Sequence, residues 1–501
     1  MLLHDYVDRW AAQRPDGEFA VQGERRTTWA QASDLSAGAA CVLRMAGLAP
    51  GDRCAVLARN AIEYVLLYVA ASRAGVVLVP LNPRSTVAEW DQVVADAAAM
   101  LLVLGPGFDG VALPAMPVVG LDELCAAGRA AAPAHPGTTE LLRLFTGGTT
   151  GRPKGASLSQ QAVTSAMAQI AAGPHGGRPG ERSLVVAPLS HAGAMWSALA
   201  PIAWGASLVI AENPAPAALV AALDEQRIGY AALVPALLGA MVDVPGVADR
   251  AYPALRLMHT GSAPATARTL RRAAGVFRCA LVQGYGLTET AAAVSTMTPA
   301  DTALALCARP ELLGSVGRAL RGTQIRVVDA GGRPVPAGTD GEVVVRGPQL
   351  MTGYAGRPDA TRAALRRGWL HTGDVGHLDP EGYLHLTDRL TDVIVSGGEN
   401  VYSAVVEQAL YAHADVVEAA VVGVPDARWG EAVHATVVLR PGAVVAADDL
   451  IAFCRERLGG VARPRSVEFR SALPRTSMGK VHKRALRAPF WVGQERQIAG
   501  V

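Results

Sequence analysis

Charge is scarce in this sequence: only 18% of its 501 residues are Asp, Glu, Lys or Arg, while 50% are hydrophobic. That balance excludes a disordered or solvating chain and favours a packed core. Lys and Arg together number 46 against 44 Asp and Glu, a net charge of +2. No basic excess marks a nucleic-acid partner. The six cysteines, at 41, 54, 125, 279, 307 and 454, include no CxxC pair. This removes a disulfide framework and a zinc motif, and scattered thiols fit a reducing compartment. The opening MLLHDYVDRWAAQRPDGE carries acids early and has no apolar h-region, unlike a signal peptide. Apolar runs such as 61–71 are too short and too interrupted to span a bilayer. A cytoplasmic protein with no membrane span is expected.

A chain of this length exceeds one ordinary core, so two or more domains are expected. From about residue 53 short apolar runs alternate with helical patterns. Strands are predicted at 53–58, 76–79, 184–187, 208–211, 230–234, 255–259 and 279–283. Helices are predicted at 61–74, through Trp196, and at 216–227 and 265–274. Such alternation means parallel sheets covered by helices, an α/β class with doubly wound, mixed or parallel sheets. No repeat of 20–50 residues suggests a solenoid. From about residue 314 the pattern turns β-rich, with strands at 324–329 and 341–346 joined by the turn-rich GGRPVPAGTDGE. Past residue 390 the pattern gives a small α+β module: helices at 404–411 and 448–458, strands at 416–422, 433–439 and 467–470. The expected organisation is a large domain over 1–390, with its β-rich subdomain, and a small mobile domain over 391–501, hinged around 388–392.

One loop carries chemistry on its face. Thr146-Gly-Gly-Thr-Thr-Gly-Arg-Pro-Lys154-Gly155 follows the apolar run 141–145. Gly147, Gly148 and Gly151 let successive backbone N–H groups converge on an anion. The hydroxyls of Thr146, Thr149 and Thr150 add donors, and Lys154 adds positive charge. Those groups suit a polyphosphate. The loop is not a Walker A motif, because no GxxxxGK[ST] is present. A second glycine pattern, Gly105-Pro-Gly-Phe-Asp-Gly110, matches GxGxxG, but two prolines follow it. A dinucleotide fingerprint has to open a helix, so this one reads as a loop.

Taken with four further motifs in order, the 146–155 loop resembles the signature of the adenylate-forming superfamily of acyl-CoA synthetases, adenylation domains and luciferases. Those motifs are Tyr285-Gly-Leu-Thr-Glu289, Thr372-Gly-Asp374, Asp388-Arg389 with Asp392, and Pro474-Arg-Thr-Ser-Met-Gly-Lys480. The resemblance covers nearly the whole chain. It implies ATP-dependent activation of a carboxylic acid as an acyl-adenylate. Glu289 would hold Mg²⁺ as a hard oxygen ligand, and Thr288 would donate to a phosphate. Gly261, Ser262 and Ala263 would lie against the adenine, Tyr285 would offer it a flat face, and Gly286 would help bind the cofactor. Asp374 and Arg389 would take the ribose, and Lys480 would bridge carboxylate and α-phosphate as an electrostatic catalyst.

The acid and the acceptor are less constrained. Pro188-Leu-Ser-His191 stands where amino-acid activators carry an aspartate, and no acid occurs between 188 and 210. An unpaired buried ammonium is costly, so a lipophilic acid is expected, with His191 as the wall or gate histidine of acyl and aryl activators. Gly397 and Gly398 resemble the pantetheine-tunnel segment, and Trp429 the residue that contacts the CoA nucleotide. Four positions depart from the family pattern: Gly147 for Ser, Thr391 for Asp or Lys, Ser403 for Pro, and Val461-Ala462-Arg463-Pro464 for aromatic-Lys-x-Pro. The last removes a ring expected against CoA's adenine, for which Arg463 and Arg465 can compensate. Transfer to a carrier protein therefore stands beside CoA as an acceptor route. A non-catalytic nucleotide-binding scaffold and a luciferase-like oxidase are the readings of other classes, and a homodimer is left open.

Overall fold

Helix Ile62–Ala74 is buried along its whole length. Its sequence, IEYVLLYVAASRA, is apolar on most sides, and its two charges are paired, Glu63 with Arg25 and Arg73 with Asp8, so it can sit inside. It ends on Gly75, whose φ of 69° supplies a left-handed cap. Strands of the same kind occur in both large sheets: Val77–Pro80, Ser207–Ile210 and Ile228–Leu233 are buried at every position. Such runs mark sheets covered on both faces. The structure, a computed structural model, describes residues 1–108, 110–111, 116–126, 140–146, 153–173, 175–263, 265–476 and 481–492.

The chain divides into two units. The first holds residues 1–148, 152–325 and 345–370 and contains two large sheets. In one, Val77–Pro80, Arg53–Leu57, Leu101–Leu104 and Val118–Gly120 run parallel. Glu140–Thr146, Lys154–Ser159 and Gly353–Tyr354 extend its other side. In the second, Ser207–Ile210, Arg182–Val185, Ile228–Leu233, Leu257–Thr260 and Ala280–Tyr285 run parallel. Antiparallel strands close both of its edges. Leu184, Leu219, Leu223, Met258, Phe277 and Leu281 form much of its core. This is the mixed, parallel α/β class that the alternation predicts.

The second unit holds, among the described residues, 326–344, 371–476 and 481–492. Its long hairpin, Val416–Asp426 with Gly430–Leu439, is joined by Ile394–Ser396 and by the parallel strand Ser466–Phe469. Val406, Leu410 and Leu450 from helices Ser403–Tyr411 and Ala447–Arg455 pack on Val421, Val433 and Val437. An α+β arrangement results.

The expected helix through Trp196 needs correction. Residues ahead of it turn, and the helical segment opens at Met195–Leu199 with one wide π turn before Ala200–Ala203. Pro201 has no N–H to offer the carbonyl of Ser197. That carbonyl accepts from Ser183 Oγ at 2.9 Å instead, and Ala200 N–H reaches back to Met195. At 105–111 the described residues are turn or irregular, with Gly107 and Gly110 at φ 84° and 81°. Among the described residues no helix is long and apolar enough to cross a membrane.

Candidate active site

The strands flanking the glycine-rich loop pair antiparallel, with Thr146 opposite Lys154 and Thr146 Oγ1 donating to the Lys154 carbonyl at 3.4 Å. Gly147, Gly148, Thr149, Thr150 and Gly151 lie outside the described residues, as does Lys480. A side chain at Gly155 would meet the Phe145 ring at 2.9 Å, so glycine lets the two strands close there.

Glu289 sits on the short turn Thr288–Thr290 that follows strand Ala280–Tyr285. Its backbone carbonyl accepts from Met351 N–H at 2.8 Å. Its Oε1 accepts from the Tyr354 hydroxyl at 2.7 Å. Burial, and then the neighbouring Glu289 charge, push the Tyr354 phenol well above its ordinary range, so it stays a donor. The Lys154 ammonium lies 5.2 Å from the centroid of the same ring, within cation–π reach. Cation, ring and carboxylate thus stand in series where the loop rejoins the sheet. Thr288 is half-buried on the Glu289 turn. Among the described residues no group of three His, Cys, Asp or Glu could hold a metal. A divalent ion at Glu289 would complete its shell with phosphate oxygens and water, the habit of Mg²⁺, and a half-buried carboxylate with one oxygen anchored by Tyr354 fits that role.

Strands Leu257–Thr260 and Ala280–Tyr285 are parallel neighbours, with Thr260 opposite Gln283. Their ends therefore bring Gly261, Ser262 and Ala263 beside Tyr285 and Gly286. A side chain at Gly261 would stand 2.8 Å from the Gly284 carbonyl, so only glycine allows this approach. Ser262 takes a left-handed φ of 68°. The Tyr285 ring is 9% exposed, held by the sheet rather than standing free. His191 is half-buried, and its Nδ1 accepts from Gly193 N–H at 3.0 Å. Its neutral form therefore carries the proton on Nε2. Ala192 and Ala194 beside it are buried.

Sequence reasoning missed Tyr354 and a ring cluster. His259 stacks on Trp196 at 4.0 Å and 8°, and His175 stands edge-on to both rings. Trp196 Nε1 donates to the Ala292 carbonyl at 2.8 Å. Burial lowers both imidazoles: His259 falls well below its ordinary value and His175 to about 4, helped by the charge of Arg256. Both rings are therefore neutral. The unfolded chain would bind a proton at His175 near its ordinary 6.5, the folded chain only near 4. Between those values the unfolded state holds more protons, so stability falls as pH falls. Melting temperature should therefore decline from pH 6.5 toward 4, and His175→Leu should flatten the slope; parallel slopes would remove this assignment.

In the second unit Asp374 and Arg389 face each other across the antiparallel pair Trp369–Leu378 and Leu384–Arg389. Arg389 Nε lies 3.0 Å from Asp374 Oδ1, the carboxylate buried and the guanidinium half exposed. Thr372 Oγ1 donates to the Val343 carbonyl and accepts from Asp374 N–H, which fixes the turn. The pair thus presents an acceptor and a donor suited to vicinal hydroxyls. Asp388 accepts from the Ser403 hydroxyl at 2.8 Å and from its N–H. Lys483 Nζ reaches both Ser403 Oγ and Glu407 Oε1 at 2.7 Å. Arg487 bonds the Thr391 carbonyl and lies 3.4 Å from Asp392.

Gly397, at φ 61°, lies against Trp429: a side chain there would meet the indole at 2.8 Å. Gly398, at φ 83°, has open space. The Arg428 and Arg465 guanidiniums lie 4.8 and 5.4 Å from the Trp429 ring. Arg463 is bound to the Gly460 carbonyl at 2.9 Å. Arg465, rather than Arg463, therefore accompanies the indole.

Residues 7–355 match the AMP-binding enzyme family, and residues 405–480 its C-terminal domain. The chain belongs to the AMP-binding enzyme family. Within that family it is 38% identical to a feruloyl-CoA synthase from Amycolatopsis sp, covering 97% of this chain and 99% of the relative. It is 36% identical to a fatty acid–[acyl-carrier-protein] ligase from Streptomyces coeruleorubidus, covering 97% and 96%. The solved structure of an amide bond synthetase from Marinactinospora thermotolerans superposes with a TM-score of 0.88 at 33% identity, covering 98% and 100%. The adenylate-forming resemblance read from five motifs is thereby established, in its acyl-CoA synthetase branch.

Proposed function

We propose that the chain is an AMP-forming acid–thiol ligase that activates a lipophilic carboxylic acid with ATP and passes the acyl group to CoA. The observation that carries this is the Lys154–Tyr354–Glu289 series at the foot of the glycine-rich loop, beside the strand ends that carry Gly261 and Tyr285. In the first half-reaction the acid's carboxylate oxygen attacks the α-phosphorus of ATP. The bond from that phosphorus to the bridging oxygen breaks, and pyrophosphate leaves. Both reactants are negative, so the main work of the site is to supply fixed positive charge. Lys154 does so at the loop and Lys480 between carboxylate and α-phosphate. A Mg²⁺ ion held by Glu289 would neutralise charge on the phosphate oxygens. Gly261, Ser262, Ala263, Tyr285 and Gly286 receive the adenine, and Asp374 with Arg389 the ribose hydroxyls. In the second half-reaction the thiolate attacks the acyl carbon, the bond from that carbon to the AMP oxygen breaks, and AMP leaves. Gly397 and Gly398 admit the pantetheine arm, and Trp429 with Arg428 and Arg465 takes the nucleotide end.

The absence of an acid from 188 to 210, the neutral His175 and His259, and the small residues Ala192 and Ala194 disfavour an amino acid. The names of the relatives, feruloyl and fatty acid, point the same way. Carrier-protein transfer is the second reading, favoured by the fatty acid–[acyl-carrier-protein] ligase and by the missing ring at Val461. ATP–pyrophosphate exchange over a panel of aryl, alicyclic and fatty acids, with mass spectrometry of the products, tests these readings. We expect exchange with lipophilic acids and acyl-CoA once CoA is added. Adenylate without thioester would move the acceptor to a carrier, and silence with every acid would leave only a nucleotide-binding scaffold.

A further inference from the structure

One short segment holds Glu289 at both ends of the residue. Met351 N–H bonds its carbonyl at 2.8 Å, and the Tyr354 hydroxyl bonds its Oε1 at 2.7 Å. The same segment is stitched to the strand that leaves the glycine-rich loop. Thr352 N–H and Oγ1 both donate to the Ser157 carbonyl, at 2.9 and 3.2 Å, and Ala355 N–H donates to the Gly155 carbonyl at 2.8 Å. Gly353 and Tyr354 stand opposite Ser157 and Ala156 in the ladder. Tyr354 N–H is itself taken by Thr361 Oγ1 at 2.9 Å, so the ring leaves a backbone anchored on both sides. Residues 351–355 thus form a strut between the loop and Glu289, and Tyr354 is its contact with the reactive carboxylate.

The geometry points to Tyr354 as a positioning residue for Glu289, one that orients the carboxylate toward the divalent ion on ATP and fixes its place relative to Lys154. In this role Tyr354 acts through Glu289, the group its hydroxyl bonds. A carboxylate oxygen has more than one lone-pair direction, and a phenol that takes one of them leaves the others oriented. Partners of this kind around metal ligands are worth on the order of 10–100-fold in metal affinity. Lys154 over the ring face adds a second constraint, since the ring cannot turn without giving up that contact.

This inference rests on the adenylation reading, and the test separates the two. Tyr354→Phe removes the hydroxyl and keeps the ring, hence the Lys154 contact. The Mg²⁺ concentration that half-saturates ATP–pyrophosphate exchange is expected to rise on the order of 10-fold or more. The KM for the acid should be little changed, and excess Mg²⁺ should restore the rate. Binding of Mn²⁺ in the presence of a non-hydrolysable ATP analogue, followed by electron paramagnetic resonance, should weaken by the same factor. A merely structural role would lower the rate at every Mg²⁺ concentration with no rescue. That result, or an unchanged Mg²⁺ dependence and Mn²⁺ affinity, overturns the proposal. A wild-type chain silent with every acid fails the adenylation reading instead.

Discussion

Glu289→Gln is expected to lower ATP–pyrophosphate exchange by on the order of 10²-fold or more while leaving the fold intact. Glutamine keeps the length of the side chain, and its Oε1 can still accept from the Tyr354 hydroxyl now 2.7 Å away. The backbone carbonyl bond to Met351 is untouched. What is lost is the negative charge, and with it the hard anionic ligand that Mg²⁺ needs. The signature differs from that of Tyr354→Phe: extra Mg²⁺ should restore little, because the ligand and not its orientation has gone. Exchange rate, Mg²⁺ titration and thermal melting of the same preparation check this. A rate within a few-fold of wild type at ordinary Mg²⁺ would take the metal-binding role away from Glu289.

Gly286→Ala is expected to be severely damaging, although it adds a single methyl. A side chain there would stand 2.1 Å from the Ala292 carbonyl oxygen, 2.2 Å from its carbon and 2.7 Å from Ala293 N. These are backbone atoms, and they are pinned. Ala292 N–H bonds the Leu287 carbonyl, Ala293 N–H bonds that of Thr290, and the Ala292 carbonyl accepts from Trp196 Nε1. Ala291 and Ala292 already hold left-handed φ of 47° and 61°. No flexible neighbour can give way, so the cost should reach about 3 kcal/mol or more. Activity should vanish, because Glu289 lies three residues further on. Gly373→Ala is the control: its φ is 70° but nothing lies within 4 Å, so only the left-handed penalty of about 1 kcal/mol applies. Equal melting temperatures for the two variants would refute the steric argument.

Much of the first unit was legible because burial on both faces writes itself as unbroken apolar runs, as in Val77–Pro80 and Ile228–Leu233. Edges were less so: the strand predicted at 279–283 runs to Tyr285, since its pairing partners, not its composition, decide where it ends. The turn ahead of Met195 escaped because the apolar pattern continues through it, while Pro201 acts one turn upstream of itself. The motif residues were legible because a close backbone approach or a charge of one sign leaves few residue types to choose from. Tyr354 was not. It stands 65 residues from Glu289, and the two are brought together by the ladder at Ser157 and the Met351 bond to the Glu289 carbonyl, neither of which local spacing announces. The stack of Trp196 on His259 is likewise a product of the strand order, and no local spacing announces it.

Ser403 has a meaning for anyone who would stabilise this enzyme by moving it toward the average of its relatives. Consensus substitution is a common source of added stability, and the family's usual residue here is proline. Proline would remove the N–H that Asp388 accepts and the hydroxyl that Lys483 and Asp388 share. Two buried or half-buried charges, Asp388 and Lys483, would then have to settle without their common neutral partner. At this position the average sequence is the wrong guide, because serine, aspartate and lysine form one unit, and the unit has to be exchanged whole or kept.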